Sequence, residues 1–515
     1  MTATLLLMTS TMLSGIIGLV RGKYIAWLFG AGLQTDAYNA AFRLPDLMNN
    51  FLVGGAVSIT FVTLLNRYRE RGEEIEGERL LSIVLNLFVL ILFVATIVLM
   101  FVAAPYIRWT NGGFTEEQVA LSARMTRIIL PGQIFFFAGG VLGAPLLVRK
   151  QFLYQALTPI LYNLCIIAAG VLLASRLGIP ALAVGATAGA FLGSFLINAI
   201  GSAKVGVRYF PTIDLSHPGL RDWLKMTLPL MFGFSLPFLE PFFMGFYASH
   251  GAGDITRLTN AKQLFSAPMA VLAQAAGVAS LPFFTQLWAA GKRREFALGV
   301  ADSVSRVVAL GLLASSAMAA LAQPIVGLIF GGGRFTPADV QLTALYFALY
   351  SIGLFLWSAQ AIYARAFYAA GVTWLPMLSS TIVMAVSFLF YGWGYRWHGA
   401  AGLALASDAG IALQAIALAI LLHMRRMVSL ASIEYSELGR CFAAGTAGGI
   451  AAFAFKAGAV WLAVKLGRAA MIESRWADLV LILAAGLAWL AITDLVLNKL
   501  GSALPGVMRK RLGLA

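Results

Sequence analysis

Glu240 and Asp408 are carboxylates set in long apolar runs, Glu240 between Pro237 and Pro241 and Asp408 after Ser407. A carboxylate so placed binds a cation, carries a coupling proton or pairs with a basic group. The two prolines, four apart, remove ladder donors and are expected to break the helix that holds Glu240. Arg365 is the candidate charge partner of Asp408. Arg21, Arg43 and Lys262 are cations in comparably apolar surroundings, and Arg257, five residues before Lys262, falls on a different helical stripe, which leaves Lys262 the deeper of the two. An ion at the bilayer centre costs roughly 2.5–3.5 kcal/mol, so each such side chain needs a polar cavity or a job. Asp36 stands near a first-turn position where the helix dipole favours a carboxylate, so capping competes with ligand contact there. Asn49 and Asn50 lie between Pro45 and Gly54-Gly55, the pattern of an interrupted helix that exposes backbone groups. Cations contributed by both halves favour an anion, with diphosphate and carboxylate headgroups the natural ligands.

Covalent chemistry has no foothold. The chain lacks a phosphate-binding loop with a lysine, a metal-ligand spacing and a nucleophile elbow. Neither a metal nor a cofactor is expected, and energy would come from sodium, protons or the membrane potential. Cys165 and Cys441 sit in separate apolar segments and read as inert thiols. Asp302 and Arg306, four apart, read as an ion pair near a helix end.

The elements that position these residues are membrane spans. Of 515 residues 60% are hydrophobic and 11% charged, with a mean hydropathy of +0.84. Apolar runs of about 20 residues recur along the chain, each long enough to cross a hydrocarbon layer of about 30 Å. Runs this continuous exclude a barrel. The expectation is an all-α polytopic membrane protein with 14 transmembrane helices, at 3–27, 36–64, 80–104, 122–148, 155–175, 179–202, 222–248, 258–288, 300–330, 339–368, 373–392, 398–423, 437–464 and 476–500. Leu5 to Val20 has no basic region before it and is read as retained. The net charge of +15 is spread in small groups between apolar runs, which suits phospholipid headgroups and argues against nucleic acid. Basic residues favour alternate connections, placing both termini in the cytoplasm.

An internal repeat organises the spans. Gly30-Ala31-Gly32 returns as Gly251-Ala252-Gly253, Phe114-Thr115 as Phe335-Thr336 and Leu182-Ala183 as Leu403-Ala404, each 221 residues later. Residues 1–203 and 222–424 are therefore read as two pseudo-symmetric six-helix bundles, joined by a cytoplasmic linker at 204–221 and followed by two further helices and a basic tail in 425–515. Two such bundles are the usual plan of an alternating-access transporter, and a chain carrying both can act as a monomer.

Ser14-Gly15 through Arg21, Leu28-Phe29-Gly30-Ala31-Gly32, Thr35-Asp36-Ala37 and Ala41-Phe42-Arg43-Leu44-Pro45 resemble the start of the MurJ/MviN family of lipid II flippases. Gly332 to Thr336 and Phe367-Tyr368 fit the same family, of which the chain resembles a divergent member and which belongs to the superfamily that includes multidrug extruders and polysaccharide flippases. The resemblance implies movement of the undecaprenyl-diphosphate-linked peptidoglycan precursor, lipid II, from the cytoplasmic to the periplasmic leaflet of a bacterial inner membrane, in support of cell-wall biogenesis and cell shape. It also implies a groove for the lipid tail at the last two helices. By position Arg21, Asp36 and Arg43 match family residues. Family arginines fall near Asn49 and Asn50 and at or beside Gln263, with Lys262 as the substitute. The alternatives are an ion-coupled exporter of another lipid-linked oligosaccharide or of drug-like molecules, for which Glu240 or Asp408 would couple, and a non-transporting scaffold.

Overall fold

The computed structural model describes residues 3–52, 56–231, 236–466 and 474–506, and among these every regular element is a helix. Ten helices are long and apolar enough to cross a membrane, or eleven when Pro337–Ile352 and Leu354–Ala369, bent by 40°, count as one span. The chain divides into two compact units, Met1–Gly233 and Phe234–Ala515.

In the first unit Ala3–Phe29 ends at Gly30, whose φ of 71° suits a residue without a Cβ. The segment expected as one helix over 36–64 is instead Leu33–Ala41, Arg43–Leu52 and Ala56–Glu70, with the Gly54-Gly55 pair outside the described residues. The first interruption follows from Pro45, which has no N–H to offer the Ala41 carbonyl four residues back. The Thr126 hydroxyl donates to that carbonyl instead, at 3.1 Å. Glu74–Thr110 is a single long helix, and Leu80, Val84, Phe88 and Leu92 on its buried face pack with Phe61, Phe137 and Trp223. Trp223 belongs to Pro218–Met231, which packs against the first unit although the sequence reading starts the second bundle at 222.

The second unit repeats local geometry at the spacing the sequence announces. Thr115 caps Glu116–Ile129 in a reciprocal box with Gln118, and Thr336 caps Pro337–Ile352 in the same way with Asp339. Gly178 (φ 66°, ψ −147°) ends Phe152–Leu177, and Gly399 (φ 56°, ψ −139°) interrupts the 51-residue stretch Trp374–Met424. That stretch is thus two helices meeting at a tight corner, where Gly394 and Gly402 approach so closely that neither has room for a Cβ. Tyr435–Lys465 and Arg475–Lys499 pack on each other and on Arg293–Ala320 and Ala322–Phe330.

Candidate functional site

In the first unit the break at Phe42 brings polar groups together. Arg43 opens Arg43–Leu52, is 5% exposed and donates from Nη1 to Asn111 Oδ1 at 2.5 Å. Asn111 follows Glu74–Thr110 and in turn donates to Thr110 Oγ1 and the Ile107 carbonyl, so the guanidinium is fastened to a helix end. Asp36, Asp46 and Tyr106 stand within electrostatic reach of Arg43. Arg21 and Asp46, of opposite charge, both stand within electrostatic reach of Tyr38 and Tyr162. Arg21, Asp36 and Arg43, singled out from the sequence, therefore gather in one neighbourhood, in which Asp36 is fully buried and Arg21 half-buried. Asp46, one turn after Arg43, is exposed. Asn49 and Asn50 are half-buried, and Asn49 Oδ1 is a buried acceptor without a hydrogen-bond donor. Sequence reasoning missed Tyr38, Tyr106 and Tyr162. Their signal was a hydroxyl inside an apolar helix, which needs a polar neighbour when buried.

In the second unit the centre is Lys262, on Asp254–Met269. Its ammonium donates to both oxygens of Glu240, at 3.0 and 2.8 Å, and to Ser407 Oγ at 3.2 Å. The rings of Tyr350, Trp357 and Phe265 surround it, their centroids 4.7, 5.2 and 5.5 Å from Nζ. Glu240 is 2% exposed, so the pair is a desolvated one whose attraction is weakly screened. Glu240 lies within Leu236–Ala248, which runs on through Pro237 and Pro241 and is not broken there as the two prolines suggest; of the expected helix over 222–248, residues 232–235 lie outside the described residues. Asp408 is 8% exposed, and no side chain donates to either carboxylate oxygen, which the Gly353 backbone faces. It is pressed against Gly353, where an added Cβ would lie 2.1 Å from Oδ1.

Arg365 is not brought to Asp408. It is half-buried with its guanidinium 5.8 Å from the Tyr368 ring centroid, and Asp408 sits near Lys262 and Glu240 instead. Gln263 is half-buried, and its carbonyl accepts from Ser266 Oγ. Arg257 is held by Asp254 at 3.0 Å and Asp339 at 2.8 Å, while Tyr346 donates to Asp254, a closed cluster at a helix start. No group of three or more histidine, cysteine, aspartate or glutamate side chains among the described residues could hold a metal.

A family model described as lipid II flippase MurJ matches residues 25–487. The lipid II flippase MurJ of Burkholderia cenocepacia is 30% identical over 430 residues, covering 81% of this chain and 82% of that protein. The probable lipid II flippase MurJ of Vibrio cholerae is 26% identical over 411 residues, covering 77% and 78%. A solved lipid II flippase MurJ in an inward closed conformation superposes with a TM-score of 0.77 at 22% identity, covering 96% of this chain and 99% of that one. An inward-facing multidrug resistance MATE family transporter of the MOP superfamily gives 0.65 at 16% identity, covering 82% and 98%. At these identities the two structures speak to the fold.

Proposed function

The chain belongs to the lipid II flippase MurJ family and is a membrane transporter rather than an enzyme, and from that premise we infer that it turns lipid II from the cytoplasmic to the periplasmic leaflet by alternating access. The observation that carries the reading is the length of the family match, residues 25–487, which takes in both units. The proposal includes fourteen spans: to the ten long helices it adds the bent pair at Gly353, a second span from the corner at Gly399 and one span each in 33–70 and 218–248. It places both termini in the cytoplasm of a bacterial inner membrane.

Arg21 and Arg43 supply positive charge for the substrate diphosphate, and exposed Asp46 one turn from Arg43 competes with the anion for it. Asn49, Asn50 and Gln263 offer neutral donors, and Lys262 answers a charge change in its own unit. Coupling is assigned to Asp408 ahead of Glu240, because Lys262 already occupies both oxygens of Glu240 whereas no side chain donates to those of Asp408.

The test is complementation in a bacterium whose own lipid II flippase can be switched off. The wild type is expected to restore growth, and membrane-inserted Arg21→Ala and Asp408→Asn are expected not to. Failure of the correctly inserted wild type would overturn the substrate assignment and favour export of another lipid-linked oligosaccharide.

A further inference from the structure

The segment that leaves the first six helices is laid along a ladder of polar side chains. Glu78, Ser82 and Asn86, four apart, lie on one face of Glu74–Thr110. Glu78 Oε2 accepts the Arg208 N–H at 3.1 Å, and Ser82 Oγ accepts the Phe210 N–H at 3.1 Å. Asn86 donates to the Phe210 and Thr212 carbonyls at 3.1 and 2.9 Å and accepts from Tyr209 Oη at 2.7 Å. Arg149 holds the start of the strap through the Val205 carbonyl and also reaches Glu78 Oε1 at 3.2 Å. At the far end Asp214 accepts from the hydroxyl and N–H of Ser216, bonds that hold its carboxyl below the ordinary range. An extended strand whose backbone bonds are made by a helix's side chains is a built feature.

Beside the strap is a cavity of about 400 Å³. Its walls are apolar, with Leu85 and Val89 on one side, Leu142 on another and Phe195 and Ala199 on the third. Arg208 and Tyr209 stand at its edge. The Arg208 side chain is exposed while its backbone is fixed. Tyr209, Ile213 and Leu215 are 59%, 51% and 66% exposed, the mixture of a ring with a polar tip and bare aliphatics that belongs at a membrane–water boundary.

We propose that this groove is a binding site for an anionic phospholipid of the bilayer, with one acyl chain between the helices and the phosphate on the Arg208 guanidinium. An apolar slot of this size, bounded by helices that end at Val148 and Lys204, matches a hydrocarbon chain. The exposed cation at its mouth complements a negative headgroup, and Lys204, exposed on the neighbouring helix end, reinforces the sign. The site is separate from the residues assigned to the flipped substrate. Its occupant tightens the strap against the first unit.

The test uses the full chain in phosphatidylcholine nanodiscs carrying increasing fractions of phosphatidylglycerol with brominated chains, which quench tryptophan at contact. Phe195→Trp supplies the reporter, read as its difference from the parent protein, and Val89→Trp on the facing wall does the same should Phe195→Trp fail to fold. Quenching is expected to saturate at a low fraction of brominated phosphatidylglycerol. Arg208→Gln, which keeps the backbone bond to Glu78, is expected to raise the half-saturating fraction roughly fivefold, the effect of one basic residue at a lipid surface. Arg208→Lys should restore most of the preference. Equal quenching by brominated phosphatidylcholine, preference unchanged in Arg208→Gln, or no quenching at either reporter would each overturn the proposal.

Discussion

Where Gly132 of the first unit faces Thr187, Gly353 of the second, 221 residues on, faces Asp408. One copy fills this contact with a hydroxyl that donates to the Ile128 carbonyl and the other with a carboxylate to which no side chain donates. The contrast extends to the cations. Arg43 is tied to the neutral amide of Asn111, whereas Lys262 is tied to a full negative charge on Glu240. Both units bury charge, but in the second the cation is paired with a buried carboxylate. The sharpest way to break this contrast is to remove one partner. Lys262→Met should strand a buried carboxylate and cost about 3–5 kcal/mol, and Lys262→Met with Glu240→Gln should recover most of it. Thermal unfolding of the purified variants in detergent reads both. A double variant no more stable than the single would show that the pair is not an energetic unit.

The glycines provide the next contrast. Gly353→Ala drives a methyl into Asp408 and is expected to cost about 1–3 kcal/mol by overpacking. Combining it with Asp408→Ala should relieve the clash. Gly132→Ala meets Ala190 Cβ at 3.4 Å and should change stability by less than ~1 kcal/mol. Equal sensitivity at the two positions would mean that Asp408 moves aside freely, against the tight packing described for it.

Much of the scaffold was legible because it is local. Apolar runs located the helices to within a few residues, as at Tyr435–Lys465 and Arg475–Lys499, and the glycine and threonine repeats marked the corners and caps that recur. Proline chemistry signalled trouble in 36–64, but the position of the break depended on Thr126, eighty-five residues away, taking the carbonyl that Pro45 cannot serve. The helical-stripe argument ranked Lys262 deeper than Arg257, yet the Lys262 side chain is 24% exposed and that of Arg257 14%. The partner of Lys262 was not readable, since Glu240 and Asp408 are both carboxylates in apolar runs and either could meet it until the helices are packed. The strap ladder escaped for a related reason: Glu78, Ser82 and Asn86 at spacing four look like an ordinary polar face, and nothing in their order names residues 208–212 as what they bind.

Within the first unit, Asn111→Ala removes the acceptor that fastens Arg43 and is expected to cost about 1–3 kcal/mol, less than the second unit's broken ion pair because a neutral partner is lost and no opposite charge is stranded. Chemical denaturation of the detergent-solubilised variants would rank the two. An Asn111→Ala effect equal to that of Lys262→Met would mean that Arg43 depends on its anchor as strongly as Lys262 does on its carboxylate, and the asymmetry between the units would fall.

The smallest effect separates burial from charge within the second unit. Asp302 and Arg306 form an i,i+4 pair at 2.9 Å with side chains 48% and 61% exposed. Water already solvates both groups, so Arg306→Ala is expected to cost only about 0.3–0.5 kcal/mol and to lose that small effect as salt is raised. Lys262→Met should respond little to salt, because its partner is out of reach of counterions. Matching salt dependence for the two variants would place solvent around Lys262 and remove the distinction between an internal ion pair and a surface one.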